Sequence, residues 1–397
     1  MIKYINNKLS ELYKRINLFN KLKKIRHYQF ILKKIRPFTT ARFNWKKIEH
    51  DAVHSKKINK EILIATSSGG IWPCSSFESL LAIALKLRGA SVKVLLNDGI
   101  VEACQECESY WLDESKFIKE GNKSFCSSSY KYAKEMFDAL GIEVLNYRDF
   151  TGKKSLKDIP KIDITEHAYA GALRYLGRGN IKNNSLHKAV LDKFIKSSEL
   201  TRIIITNVLE KNNFDTALFH HGIYVPQGVI GDVCRNKNIN IVNWGPSYRK
   251  GTVLFSHNHS YHHTMQLDDN ENWSSINWTD DKDIKLNNYL QSRRFGSNDW
   301  ISFQKVSETS DKDIYKKLNL NSKLPIVTLL TNVIWDAQLH FKNSAFKSML
   351  DWLFHTIEYF EKNTLAQLVI RIHPAEDLGS VPSNQSVYNE IIDRYGS

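Results

Sequence analysis

The sequence predicts an α/β protein of two doubly wound domains, the second incomplete, behind a basic N-terminal helix. Three observations predict it. Residues 61–96 read as strand, Gly-rich turn, helix and strand, and residues 214–244 repeat that order around a His-His-Gly turn. Two further buried-type strands, 325–331 and 368–372, flank a helix whose apolar positions keep a 3.6-residue period. The expected layout is therefore 1–60 as helix and linker, 61–310 as a first Rossmann-like domain and 311–397 as a partial second one.

Size and charge fit this division. The 397 residues and 46.0 kDa exceed the usual span of one core. Residues 1–60 carry 17 Lys and Arg against 3 Asp and Glu, whereas the remainder holds 39 of each. The net charge of +14 thus belongs to one appendage. With no helix-turn-helix or RNA-binding pattern beyond it, no nucleic-acid partner is expected.

In the appendage, Ile2, Ile5, Leu9, Leu12, Ile16 and Phe19 share one helical stripe with lysines and arginines around it. Such a helix can lie on an anionic membrane surface, each basic group adding about 1 kcal/mol. Docking on its own domain is the plainer alternative. No run approaches the roughly 18 apolar residues of a membrane span, and the start lacks the pattern of a secretory signal. The expectation is a cytoplasmic protein, peripheral on the inner face of the membrane through residues 1–45.

The first strand, 62–65, runs into Thr66-Ser67-Ser68-Gly69-Gly70, whose backbone N–H groups are candidates to cradle a substrate at a helix start. A tight turn needs the same glycines. A helix near 76–87 and a strand at 92–96 follow. Neither GxGxxG nor GxxxxGK[ST] is present, which disfavours a dinucleotide or P-loop site. Cys104 and Cys107 then form a CxxC, with Cys126 nineteen residues on. A fourth zinc ligand is expected near Ser129, where serine stands, so the set reads first as buried thiols and second as a metal site.

A helix at 129–140 and a strand at 143–146 lead to a helical stretch carrying Glu166, His167 and Arg174. Helical spacing can turn carboxylate, imidazole and guanidinium toward one cleft. After a long helix to about 212 comes the central segment: strand 216–219, His220-His221-Gly222, helix 227–235, strand 239–244, and a short apolar run at 253–255. His257, His259, Tyr261, His262 and His263 close it, with Tyr248, Arg249 and Lys250 between the strands. Imidazoles at strand ends stand where open α/β sheets bind ligands. An imidazole is also suited to take a proton near neutral pH. Helices near 284–293 and 311–318 precede the second unit, whose last strand ends on Arg371, His373, Pro374 and Glu376.

The stretches 61–70, 95–107 and 166–174, with HHGIYVPQG, VNWGPSYRKG, SHNHSYHHT, TNVIWDA and LVIRIHPAE, together resemble the two-domain GT-B glycosyltransferases. The closer resemblance is to the bacterial capsule and O-antigen polysaccharide biosynthesis proteins, over about residues 61–377. It implies transfer of a sugar from a nucleotide-sugar co-substrate to a lipid-linked glycan, with no cofactor or metal required. It also implies a base for the acceptor hydroxyl's proton, with His221 beside Gly222 the first candidate and Glu166 the second, and an acceptor side of Tyr248, Arg249, Lys250, Tyr261 and His262. Ser68, Gly69, Gly70, His167, Arg174 and His220 are the further substrate-binding candidates. Arg371, His373 and Glu376 are implied at the donor phosphate. Two rival functions share these features: a CDP-polyol phosphotransferase of the teichoic-acid type, and a non-catalytic glycan-binding scaffold.

Overall fold

The computed structural model describes residues 58–109, 112–152, 159, 161–264, 274–293, 295–303, 310–340, 344–379 and 381–396. The basic helix and most of the linker predicted for 1–60 lie outside the described residues. Among those described, no helix is long and apolar enough to cross a membrane.

A six-stranded, mostly parallel sheet flanked by helices forms the main body, in the order β3-β2-β1-β4-β5-β6. Its strands are β1 (Glu61–Ser67), β2 (Ser91–Leu96), β3 (Glu143–Asn146), β4 (Thr216–His220), β5 (Asn240–Pro246) and β6 (Val253–His257). β6 is antiparallel to β5, pairing Val242 with His257 and Pro246 with Val253. All other neighbours are parallel.

The apolar run in β1 explains why helices cover both faces. Its residues alternate between two cores. Leu63 and Ala65 join Leu95, Ala217 and Phe219 under α5 (Ser185–Lys211) and α6 (Gln227–Asn236). Ile62 and Ile64 join Val94, Leu218 and Trp244 under α1 (Trp72–Leu87) and α3 (Lys123–Ala139). Leu63, Ile64 and Ala65 are fully buried, each large one stabilising the fold by roughly 1.5–3 kcal/mol. A third core, between α3 and α4 (Thr165–Leu176), contains Cys104, Cys107 and Cys126.

Among the described residues the predicted elements stand near their expected positions, most with longer ends, whereas the strand expected at 325–331 is confined to 326–330. Among the helices the sequence did not suggest is α2 (Glu114–Glu120), whose cap Asp113 accepts from the N–H of Ser115 at 3.0 Å and of Lys116 at 3.3 Å. It buries Phe117 alone, so no apolar period marks it in the sequence.

Beyond β6, α7 (Tyr261–Thr264) and the polar α8 (Asp280–Arg293) lead to α9 (Asp311–Lys317) and a separate two-stranded parallel sheet. That sheet pairs β7 (Ile326–Leu330) with β8 (Gln367–Arg371). They are joined by α10 (Met349–Lys362), and α11 (Ala375–Leu378) and α12 (Val387–Tyr395) follow. Leu329, Ile334, Leu353 and Val387 form its core.

The segment before α12 returns to the main body. Asn384 donates from its backbone to Gly177 O at 2.7 Å and from Nδ2 to Leu176 O at 2.9 Å. Gln385 Oε1 accepts the Gly179 N–H at 2.9 Å.

Candidate functional site

β1 and β4 are neighbours from which the sheet is built outward in opposite directions, so their C-terminal ends flank the topological switch point. The chain leaves both strands in the left-handed region, Ser67 at φ 62° and His221 at φ 69°, with Gly222 at φ 84°. For residues with a Cβ this conformation is uncommon and costs of order 1–3 kcal/mol, so the surroundings must hold it. Thr66 does much of that holding. Its hydroxyl accepts the His220 N–H at 2.8 Å and donates to Glu78, while its carbonyl accepts from Gln227 Nε2 at 3.0 Å. Glu78 also accepts from Trp244 Nε1 at 2.9 Å. Burial lifts the Glu78 carboxyl to about 7 against these two bonds.

Around His221 the rings gather. It stacks on His262 at 4.9 Å and lies 5.4 Å from His220, 5.1 Å from Tyr224 and 6.1 Å from Tyr261. Desolvation holds these imidazoles neutral, with lesser help from their mutual repulsion. His220 falls to about 4, His262 to about 3, and His221 well below its ordinary value. Nδ1 of His220, Nδ1 of His221 and Oε1 of Gln227 are buried with no protein hydrogen bond. Native interiors usually give such atoms a partner, from the protein or from ordered water.

Helix α4 sends its three candidates to different duties. Glu166 Oε1 comes within 2.8 Å of His340 Nδ1, at the edge of the imidazole group. His167 is turned the other way, against the expectation that it contacts substrate. Its Nε2 meets Asp232 at 2.8 Å and its Nδ1 the Ile223 carbonyl at 3.2 Å, so neither nitrogen remains for a ligand. Burial raises the Asp232 carboxyl, but the bonds and charges of His167 and Arg235 outweigh it and hold it below its ordinary range. Arg174 donates to Gln105 O at 2.6 Å and pairs with Glu108 at 3.2 Å, while its guanidinium covers the rings of Tyr224 and Trp335. It supports the wall of the crevice.

A second group of candidates stands at the second sheet. A cavity of about 600 Å³ is lined by Thr331, Trp335, Asp336, Arg371 and His373, with Tyr248 and Trp300 among the residues opposite. Thr331 Oγ1 accepts the His373 N–H at 2.9 Å, and His373 Nδ1 accepts the Ala375 N–H at 3.1 Å. The ring is thus oriented with Nε2 as its remaining polar atom. The Tyr224 hydroxyl donates to Asp336 at 3.1 Å, and Asp336 lies within electrostatic reach of His373, Arg174 and His340. Tyr224 and Asp336 thus connect the imidazole group to the cavity that His373 also lines.

No known family model matches the chain, and no curated protein matches it.

Three further sets of expectations need correction. Glu376 is not at a phosphate position: its carboxylate is buried and accepts the Val387 N–H at 3.1 and 3.2 Å, capping α12. Arg249 and Lys250 stand on an exposed turn, bridged to Asp299 and Asn298, and only Tyr248 of that trio lines the cavity. A Cβ on Gly69 would lie 2.7 Å from Ser129 O, and one on Gly70 would lie 2.3 Å from Glu106 Oε1. Those glycines admit α3 and the Cys104 loop, and Ser68 is buried beside them, so close packing explains the turn.

The three cysteines do converge. Cys104 Sγ lies 4.0 Å from Cys126 Sγ and the Cys104 N–H points at Cys107 Sγ at 3.4 Å, all inside the third core. Sequence reasoning missed His340, Asp336 and Tyr224 as site residues. His340 sits alone in its stretch, and Tyr224 and Asp336 gain meaning only by meeting each other.

Proposed function

We propose that the protein is a GT-B-like glycosyltransferase, akin to bacterial capsule and O-antigen biosynthesis enzymes. It would move a sugar from a nucleotide-sugar donor to a lipid-linked surface glycan, working on the cytoplasmic face of the membrane with residues 1–45 on the lipid surface. One observation carries the reading: the imidazole wall at the switch point of the first sheet is joined, through Tyr224 and Asp336, to a cavity lined by Arg371 and His373.

In this reading Arg371 and His373 Nε2 hold the donor diphosphate, where negative charge grows as the sugar leaves. Tyr248 and Tyr261 offer ring faces to sugars. The acceptor hydroxyl attacks the anomeric carbon and the bond to the phosphate oxygen breaks. His221, held neutral by burial, receives the hydroxyl proton. The departing nucleotide keeps the electron pair. His220 and Gln227 position the loop that carries the base.

The test has two stages. The full chain is screened by thermal shift against UDP, GDP, CMP and CDP sugars and CDP-polyols, and the stabilising donor is then used in a transfer assay. A stabilising sugar nucleotide is expected, with turnover lowered about 10²–10⁴-fold in His221→Ala while donor stabilisation persists. Stabilisation by CDP-polyols alone points to phosphotransfer. Unchanged turnover in His221→Ala removes the base assignment.

A further inference from the structure

Glu166 on α4, His263 on α7 and His340 in the 3-10 turn Gln338–His340 bring one ligand atom each to within 4.8 Å of one another. A tetrahedral ion with bonds of about 2.0–2.1 Å separates its ligands by ~3.3 Å, so small side-chain rotations close the set. A second observation points to a ligand there. The His340 side chain is 1% exposed, and neither of its ring nitrogens has a hydrogen-bond partner. Glu166 Oε1 is near enough, at 2.8 Å, but stands outside hydrogen-bonding geometry. A buried polar group left so costs about 1–3 kcal/mol, and a metal occupying its lone pair removes that cost.

The neighbours suit such a site. Ser260 Oγ lies 2.7 Å from His263 Nδ1; when that nitrogen donates to it, the Nε2 lone pair is left for a metal. The ring of His340 is sandwiched in place, stacked at 5.8 Å on His167 and meeting the His263 ring edge-on at 5.6 Å. His167 is itself fixed by Asp232. From these contacts we infer that Glu166, His263 and His340 bind a divalent transition metal of the zinc class through two imidazoles and one carboxylate. Three protein ligands leave a coordination position open to water or a substrate oxygen. His263 adjoins His262, whose ring stacks on His221, so the ion borders the crevice. Glu166 then serves as a ligand and not as a base. The inference goes beyond glycosyl transfer and does not depend on it.

Cys104, Glu106 and Cys126 also place ligand atoms within 4.8 Å of one another, so the experiment must separate two sites. The full chain is purified without chelators and its metals are quantified by mass spectrometry. Chelator-stripped protein is then loaded with cobalt(II) and its absorption spectrum recorded. About one zinc-class ion per chain is expected, with cobalt d–d bands but no thiolate charge-transfer band. His340→Ala and Glu166→Gln should each lower metal affinity about 10–100-fold, whereas Cys104→Ser should not. Glu166→Gln is the near-isosteric variant that keeps the test valid if His340→Ala does not fold. Three results overturn the inference: metal-free protein that yields no cobalt spectrum, a charge-transfer band lost in Cys104→Ser, or unchanged affinity in Glu166→Gln. Each is read without a sugar donor, so metal binding and glycosyl transfer fail separately.

Discussion

The Tyr224 hydroxyl donates to the Asp336 carboxylate at 3.1 Å, joining the loop after β4 to the segment after β7. Burial raises the Asp336 carboxyl and the Tyr224 bond partly offsets it. Tyr224→Phe should therefore lower unfolding stability by about 1–2 kcal/mol in a urea titration. An unchanged midpoint would show that the bond contributes nothing to joining the two sheets.

Glu78 makes stability depend on pH. Its folded carboxyl is lifted from 4.5 to about 7. Below the lower value both folded and unfolded chains hold the proton; between the two the folded chain alone does. Its contribution is full in acid and is lost as pH rises to about 7, by roughly 3 kcal/mol. Glu78→Gln keeps the Thr66 and Trp244 bonds available and should flatten that slope. Parallel stability curves for the two proteins between pH 4.5 and 8 would refute this account.

Gly228 makes room for an imidazole. A Cβ there would lie 2.2 Å from His167 Nδ1. Gly228→Ala should therefore displace His167 from Asp232 and cost roughly 1–3 kcal/mol, as overpacking does. Thermal unfolding measures the loss, and a melting temperature equal to the parent's would mean that the ring yields freely.

Arg371 and Glu376, five residues apart, should respond differently. Glu376→Ala removes the acceptor of the Val387 N–H and should destabilise the chain by about 1–2 kcal/mol while leaving nucleotide-sugar affinity intact. Arg371→Ala, on the cavity wall, should weaken donor binding with little change in folding. Calorimetric titration with the donor, beside urea unfolding, distinguishes the two; equal donor affinity in both variants would remove Arg371 from the phosphate.

The sheet was legible because its strands are short, largely apolar runs bounded by Gly, Asn and Asp, and β1 feeds two cores at once. The strand-end imidazoles of the first sheet were legible too, since they follow directly on β4 and β6. Other features depend on long-range geometry. Glu376 and His373 look alike after a strand, yet one turns inward to cap α12 and the other outward to a cavity. His167 and Glu166 are adjacent on α4 and about 100° apart, so Asp232 holds the one while the other carries its carboxylate to His340. His340 acquires its partners only when the segment after β7 folds against α4 and α7.

The contact between Tyr224 and Asp336 and the strap at Asn384 and Gln385 attach the small sheet to the large one at two separate places. Arg174 over the Trp335 ring, Glu166 beside His340, and the packing of Ala170 and Ile223 on Ala337 add further contacts between the same two bodies. Attachments at more than two places leave no free axis, so any opening of the crevice must break at least one of them.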